Sequence, residues 1–490
     1  MLYRTRRLLR RLAILLTVLA LALLALRAWD ASSGPPLRAW HLVVPPELPI
    51  AALDAADWAG YLAAEQTAFD TVRREVTERL EPADRLAANR YFAGSPMHGD
   101  RFVQDWNRSF VLQPDGAPRG AVVFLHGLTD APYSQRHIAE RYRHQGFLAF
   151  GPRMPGHGTV PAGLTDSTWE DWLAATRLTM REARKQIGPG LPLHIVGYSN
   201  GGALAMKYAL DAIEDPRLPK ADRLVLISPM IGITAFARFA GLAALPAMLP
   251  AFAKTAWLGI LPEFNPFKYN SFPVNGARQS WRLTQALQGQ LRRMAASGRL
   301  GALPPVLTFQ SAVDATVSTP AVLDALYALL PANGSEIVLF DINRNAKLGP
   351  LLSPAAEAVL DRLLPPAPRR YRMAVLANAG PDQDAVVERV VEAGGAAEQV
   401  VPLGLEWPQE LFSLSHVALP FPLSDGLYGA RPDPSPAEDF GMRLGAVAPR
   451  GERGVLVLVL DLDSLVRVSS NPFYPYLMSR IEGSIGPKRP

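Results

Sequence analysis

The chain has 490 residues, enough for a large core with accessory segments. It contains no cysteine, which excludes disulfides, thiolate metal sites and cysteine catalysis. Its net charge of +5 resides wholly in residues 1–30, where six arginines face one aspartate; the rest balances at 44 of each sign, with no basic bias toward nucleic acid.

Arg4, Arg6, Arg7, Arg10 and Arg11 precede an uncharged run of 15 residues from Leu12 to Leu26, almost wholly Leu, Ala, Ile and Val. At helical rise that run covers about 22 Å, short of a hydrocarbon core of about 30 Å, a length that suits a secretory signal. No A-x-A cleavage site follows in Ala25-Leu26-Arg27-Ala28-Trp29-Asp30. The flanking arginines can snorkel and Trp29 suits an interface. Residues 1–30 are therefore expected to form an uncleaved signal anchor or transmembrane segment, with a cleaved signal and secretion as the alternative. The arginine cluster predicts a cytoplasmic N-terminus and a body on the far side of a bacterial inner membrane, in the periplasm.

Residues 31–104 read as a Pro-, Gly- and Ser-bearing tether followed by a helical extension over 51–90. Residues 106–112 and 120–125 are predicted strands, joined by a Pro114-Asp115-Gly116 turn. A strand at 148–150, a helix over 169–187, an apolar strand ending at Val196 and a strand over 223–228 continue the alternation. This rhythm over 105–230 predicts a mostly parallel sheet with helices on both faces.

Gly197-Tyr198-Ser199-Asn200-Gly201 sits between an apolar strand and a good helix, 203–210. A G-x-S-x-G in that place is a nucleophile elbow, which lifts a serine hydroxyl out at the carboxyl end of a sheet. The elbow places its triad in the order Ser, then Asp or Glu, then His. Of eight histidines only His416 follows Ser199, so it is the candidate base. Asp314, on the loop after a strand at 305–309, is the candidate orienting carboxylate; Asp341, after 337–340, is the rival. The N–H of Asn200 and that of Leu128, beyond the strand ending in His126-Gly127, are the candidate oxyanion donors. His126 reads as a structural loop residue.

Residues 231–300 break the strand–helix rhythm with dense Phe, Leu, Met and Trp and five prolines, and no obvious strand. They are expected to form a helical cap over a greasy substrate; a helical insert packed on the core explains the same residues. Residues 301–490 read as the second part of the core. Residues 372–377, 384–393 and 399–403 suggest an inserted strand–helix–strand unit, residues 454–460 a buried strand, and 471–477 the start of a closing helix or turn. No H-E-x-x-H spacing and no Walker glycine loop occurs, so neither metal nor cofactor is expected.

Four motifs together resemble the α/β-hydrolase superfamily, in particular lid-bearing bacterial carboxylesterases and monoacylglycerol-lipase-like serine hydrolases. They are Leu125-His126-Gly127, Arg153-Met154-Pro155-Gly156-His157-Gly158, the elbow with Gly202, and Ser311 to Val317 around Asp314. The resemblance covers roughly 105–345 and implies Ser199 as nucleophile, Asp314 as acid, Asn200 and Leu128 as oxyanion donors, and an architectural His157. It implies a serine esterase or lipase-like enzyme acting on small-molecule or lipid-like esters. One departure stands out. Such enzymes place their histidine shortly after the acid, where this chain has Asp341-Ile342-Asn343-Arg344-Asn345. Displacement to His416 is the reading adopted; a degenerate hydrolase serving as a binding or scaffold protein, and a serine peptidase, are the alternatives.

Overall fold

The computed structural model describes residues 2–233, 245–314, 316–346, 359–411, 413–445 and 470–485. The expected strand at 454–460 lies outside the described residues. Helix α1 (Leu2–Ser33) carries the apolar run, and α2 (Trp58–Val72) opens the N-terminal extension.

The central sheet has ten strands in the order β1-β3-β2-β4-β5-β8-β9-β10-β11-β12. In chain order these are β1 (Phe110–Leu112), β2 (Gly120–Leu125), β3 (Phe147–Gly151), β4 (Leu193–Tyr198) and β5 (Arg223–Ile227). After a separate ribbon of β6 (Trp257–Gly259) and β7 (Phe272–Pro273) come β8 (Val306–Ser311), β9 (Glu336–Phe340), β10 (Arg372–Asn378), β11 (Ala385–Val391) and β12 (Glu398–Glu406). Strands β3, β2, β4, β5, β8, β9 and β10 run parallel; β1 at one edge and β11 and β12 at the other are antiparallel. Every residue of β2 and β4 is buried, as a sheet covered on both faces requires.

Helices α3 (Arg136–His144), α4 (Trp169–Ile187), α5 (Asn200–Glu214), α6 (Val274–Ala296) and α7 (Tyr474–Ile485) supply that cover. One core layer joins Trp172 of α4, Leu204 of α5 and Leu287 of α6; the opposite layer joins Tyr142 of α3, Trp407 and Leu477 of α7. Helix α4 starts at a capping box in which Thr168 Oγ1 accepts from the Asp171 N–H and Asp171 accepts from the Thr168 N–H. Its carboxylates Glu170 and Asp171 sit in the first turn, where the helix dipole favours them.

Three expectations need correction. Residues 385–391, predicted as the helix of an inserted unit, are strand β11, so the insertion is a parallel strand followed by an antiparallel meander. Val386, Val387, Val390 and Val391 are stiff at χ1 and pack well on a pleated surface, and the free edge of β10 gives them a partner. Residues 231–300 are not uniformly helical. Their described part holds two short 3-10 segments, Leu245–Met248 and Pro250–Ala256, the β6–β7 ribbon, and α6, whose Leu283, Leu287 and Leu291 belong to the main core. Phe236, Phe239 and Leu242 of the expected cap lie outside the described residues.

Nor is the stretch after α1 a loose tether. Trp40 stacks on Tyr91 with ring centroids 5.5 Å apart, and His41 Nε2 lies 3.0 Å from Ser271 Oγ. The whole extension is fastened to the sheet through Arg153, which is 1% exposed. Its guanidinium donates to both carboxylate oxygens of Glu47 at 2.7 and 2.9 Å and to Glu65 at 3.2 Å. Burial alone would lower the Arg153 pKa, but Glu47 and Glu65 raise it well above the ordinary value.

Candidate active site

Strand β4 ends at Tyr198 and α5 begins at Asn200, so Ser199 makes the whole turn between them, with φ 55° and ψ −117°. A non-glycine residue at positive φ is uncommon and costs of order 1–3 kcal/mol, held here by the surrounding structure. The motif glycines make room for it. A Cβ on Gly201 would lie 1.9 Å from the Leu125 carbonyl oxygen, and one on Gly197 would lie 2.5 Å from the Gly201 carbonyl oxygen. The turn is tied down by Ser199 N–H to Ile227 O at 3.0 Å and Met230 N–H to Ser199 O at 2.9 Å. Ser199 therefore sits at the N-terminus of α5, where partial positive charge favours a developing anion.

Asp314 lies just past β8. Its Oδ1 accepts the N–H groups of Thr316 at 2.8 Å and Val317 at 2.9 Å, and its Oδ2 accepts Gln310 Nε2 at 3.0 Å. His416, in the turn region beyond β12, brings Nδ1 to 3.0 Å from Asp314 Oδ2. Burial would raise the Asp314 carboxyl, but the charge and hydrogen bond of His416, with the two backbone N–H groups, hold it below the usual carboxylate range. An ionised carboxylate only accepts, so a proton is assigned to His416 Nδ1.

The His416 ring packs 5.4 Å from the ring of Tyr198, next to Ser199 in the chain, and the Tyr198 hydroxyl donates to the His416 carbonyl at 3.4 Å. The hydrogen bonds of the described residues include none between Ser199 Oγ and His416. The rival, Asp341, is 1% exposed and pairs with Arg344 at 3.1 Å; burial pushes its carboxyl up, and it bonds to no histidine among the described residues.

The loop after β2 abuts the serine. A Cβ on Gly127 would meet Ser199 Cβ at 3.3 Å and the Tyr198 ring at 3.2 Å. Asp130 Oδ2 shapes this loop, accepting Gly127 N–H at 3.2 Å and the Ser134 hydroxyl at 2.6 Å. Among the described residues, the N–H groups of Leu128 and Asn200 have no backbone or side-chain acceptor. Asn200 is held from its side chain, whose Oδ1 accepts the Ser280 hydroxyl of α6 at 3.2 Å. His126 is spent on structure: Nδ1 meets Gly127 O at 2.9 Å and Nε2 accepts Met154 N–H at 3.0 Å, with burial lowering its pKa. His157 is likewise enclosed, with Nδ1 3.1 Å from Pro155 O.

Sequence reasoning missed a knot of amides that secures the segment leading to His416. Asn343, fully buried, donates Nδ2–H to Pro408 O and Leu411 O, each at 2.9 Å, and its Oδ1 accepts from Asn378 Nδ2 and Asn345 N–H, each at 3.1 Å. Asp384 adds to it, accepting from Asn345 Nδ2 at 2.6 Å and Gln409 Nε2 at 2.8 Å. The only signal in the sequence was Asn343-Arg344-Asn345 standing where a histidine was looked for. His137, Asp425 and Glu438 bring three potential metal-ligand atoms within 4.8 Å, yet Arg136 already donates to Asp425 at 2.7 Å and to Glu438, so a guanidinium supplies the positive charge there.

Residues 116–339 match the family model described as serine aminopeptidase, S33, a stretch that includes Ser199 and Asp314 and ends before His416. Among curated proteins the chain is similar to the thermostable monoacylglycerol lipase of Bacillus sp. (strain H-257), with 26% identity over 218 residues, 44% of this chain and 79% of that protein. It is also similar to the monoacylglycerol lipase of Mycolicibacterium smegmatis, with 30% identity over 122 residues, 24% of this chain and 39% of that one. Among solved structures, a soluble variant of monoglyceride lipase from Saccharomyces cerevisiae aligns over 47% of this chain and 81% of its own, at 15% identity and a TM-score of 0.37.

Proposed function

Since the chain belongs to the α/β-hydrolase superfamily and is lipase- and esterase-like, we propose that it is a membrane-anchored serine hydrolase that cleaves carboxylic esters through an acyl-enzyme. The observation that carries this reading is the 3.0 Å contact of His416 with Asp314, beside an elbow that presents Ser199. His416 Nε2 takes the Ser199 proton as the oxygen attacks the ester carbonyl carbon. The N–H groups of Asn200 and Leu128 hold the oxyanion, worth roughly 3–4 kcal/mol of barrier per donor lost elsewhere. The alcohol leaves with the proton from His416. Water, deprotonated by the same nitrogen, then cleaves the acyl-serine and restores the hydroxyl.

Lipid-like esters suit the relatives' named activity on monoacylglycerols. Membrane anchoring rests on α1, where an 18-residue window within Thr5–Asp30 has a mean hydropathy of 2.3 and the flanking arginines can snorkel to make up the length of the short apolar run. The arginines at its start favour a cytoplasmic N-terminus and a periplasmic body in a bacterial inner membrane.

The test is hydrolysis of monoacylglycerols and p-nitrophenyl esters by the full chain, with Ser199→Ala and His416→Ala alongside. Turnover unaffected by either change would remove that residue from the mechanism. A binding role on the same fold is the second reading, since the hydrogen bonds of the described residues include none between Ser199 Oγ and His416. A fluorophosphonate probe separates the two readings, since covalent labelling at Ser199 requires an activated hydroxyl. Turnover of aminoacyl arylamides in preference to esters would assign the peptidase alternative.

A further inference from the structure

Helix α1 leaves the body almost bare. Leu12, Leu16, Leu19 and Leu23 are each more than half exposed, and cover begins only near Ala28, which is 8% exposed. What covers the base of the helix is the segment just before the β6–β7 ribbon. Arg27 donates to the Trp257 carbonyl, and Lys254 Nζ donates to Ser32 O in the last turn of α1 at 3.2 Å and to Gly34 O just beyond it at 2.7 Å. Around this joint the same segment turns large apolar side chains to the outside: Leu249, Phe252, Leu258 and Leu261 are 60, 36, 40 and 54% exposed, and Trp29 on α1 is 68% exposed. Such a group on an otherwise balanced surface marks an interaction face.

Length decides what the partner is. A hydrocarbon core of about 30 Å takes about 20 helical residues. The apolar run Leu12–Leu26 is shorter than that, so Arg10, Arg11 and Arg27 snorkel to the two interfaces and its far end falls at Arg27 and Trp29, where the joint with Lys254 and Trp257 lies. We propose that residues 249–261 form a collar bedded in the acyl–headgroup boundary of the bilayer that α1 crosses, so that anchor and collar fix the body with one face against the lipid. The inference rests on the anchor reading of α1. Isolated apolar side chains at that depth are stabilised by burial. The collar also leads to the candidate active site. It continues through Phe272 into α6, where a Cβ on Gly276 would touch both Phe272, at 3.1 Å, and Leu128, at 3.9 Å.

The absence of native cysteine permits a clean test. The full chain, in single-cysteine forms Leu16→Cys, Leu258→Cys, Leu261→Cys and Arg217→Cys, is labelled with an environment-sensitive nitrobenzoxadiazole probe. It is reconstituted in phosphatidylethanolamine–phosphatidylglycerol vesicles with lipids spin-labelled at shallow or deep acyl positions, and folding is checked by circular dichroism. The expected result is blue-shifted emission at 258 and 261 that is lost mainly to the shallow quencher, loss at 16 mainly to the deep one, and neither at 217. Quenching at 16 without quenching at 258 and 261 overturns the collar and leaves the anchor standing. A blue shift at 258 and 261 that no lipid quencher touches assigns that face to a protein partner and overturns it too. Absence of quenching at 16 overturns the anchor, and the collar with it.

Discussion

His416 Nδ1 lies 3.0 Å from Asp314 Oδ2 although 102 positions separate them in the chain. The carboxylate fixes the imidazole tautomer, so Asp314→Asn should leave the fold intact and present the wrong nitrogen to Ser199. Turnover of a p-nitrophenyl ester is expected to fall by about 10⁴, the effect of the equivalent change in serine proteases. Asp341→Asn, which alters the Arg344 pair and leaves the Asp314–His416 contact in place, should leave turnover close to that of the parent.

Asn343 predicts a subtler loss. Asn343→Ala removes the two donors to Pro408 O and Leu411 O; Pro408 O keeps the Leu411 N–H, and the Leu411 carbonyl loses its amide partner. A cost of about 1–3 kcal/mol per unsatisfied group is expected in thermal or urea unfolding. Because the released segment carries His416 five residues on, kcat should fall while KM changes little. Asn343→Asp, which lacks the donors, should reproduce the kinetic defect.

The elbow predicts an intolerance to a single methyl. In Gly201→Ala the new Cβ would lie 1.9 Å from a backbone oxygen of β2, which cannot retreat without breaking the sheet. The variant should lose fluorophosphonate labelling and unfold at markedly lower temperature. Gly190→Ala, where nothing lies within 4 Å, should match the parent in both assays.

Arg153→Met leaves Glu47 and Glu65 facing each other without their cation. Breaking a buried pair from one side typically costs about 3–5 kcal/mol, and the unfolding midpoint in urea should fall accordingly. Arg217→Met breaks only an exposed pair with Asp215 and should be near neutral by the same measurement.

Acid should weaken the fold through its buried histidines. Burial first, and then Arg223, hold His194 down to about 3 from an ordinary 6.5. Between those values the unfolded chain binds a proton that the folded chain refuses, so stability is full above about 6.5 and declines as pH falls toward about 3. His41, lowered to about 4 by burial and then Arg38, acts in the same direction. Melting temperatures at pH 7 and pH 4.5 should show a smaller acid-induced drop for His194→Phe than for the parent.

The elbow and Asp314 were legible because their signals are local: an apolar run, a turn motif and a helix, or a carboxylate just past a strand. The meeting of His416 with Asp314 was legible only by chain order, since nothing in the sequence around His416 points to a partner. Strand β11 was misread because valines at 386, 387, 390 and 391 fit the spacing of one helical face as readily as a pleated surface. Its partner β10 decided the matter, and pairing is not written in the segment itself. The amide knot around Asn343 and the carboxylates on Arg153 stayed hidden for a related reason. Leu411 stands 68 positions from Asn343, and Glu47 stands 106 from Arg153, so no window of sequence contains both partners.

The meander β10–β11–β12 has a consequence for how the protein comes into being. It interposes itself between carboxylate and imidazole, so the ribosome delivers the nucleophile first, its acid next and the base last. On the proposed assignment, a nascent chain with most of its sheet already made is still chemically silent. On that assignment, competence arrives only when the turn beyond the third meander strand emerges and docks.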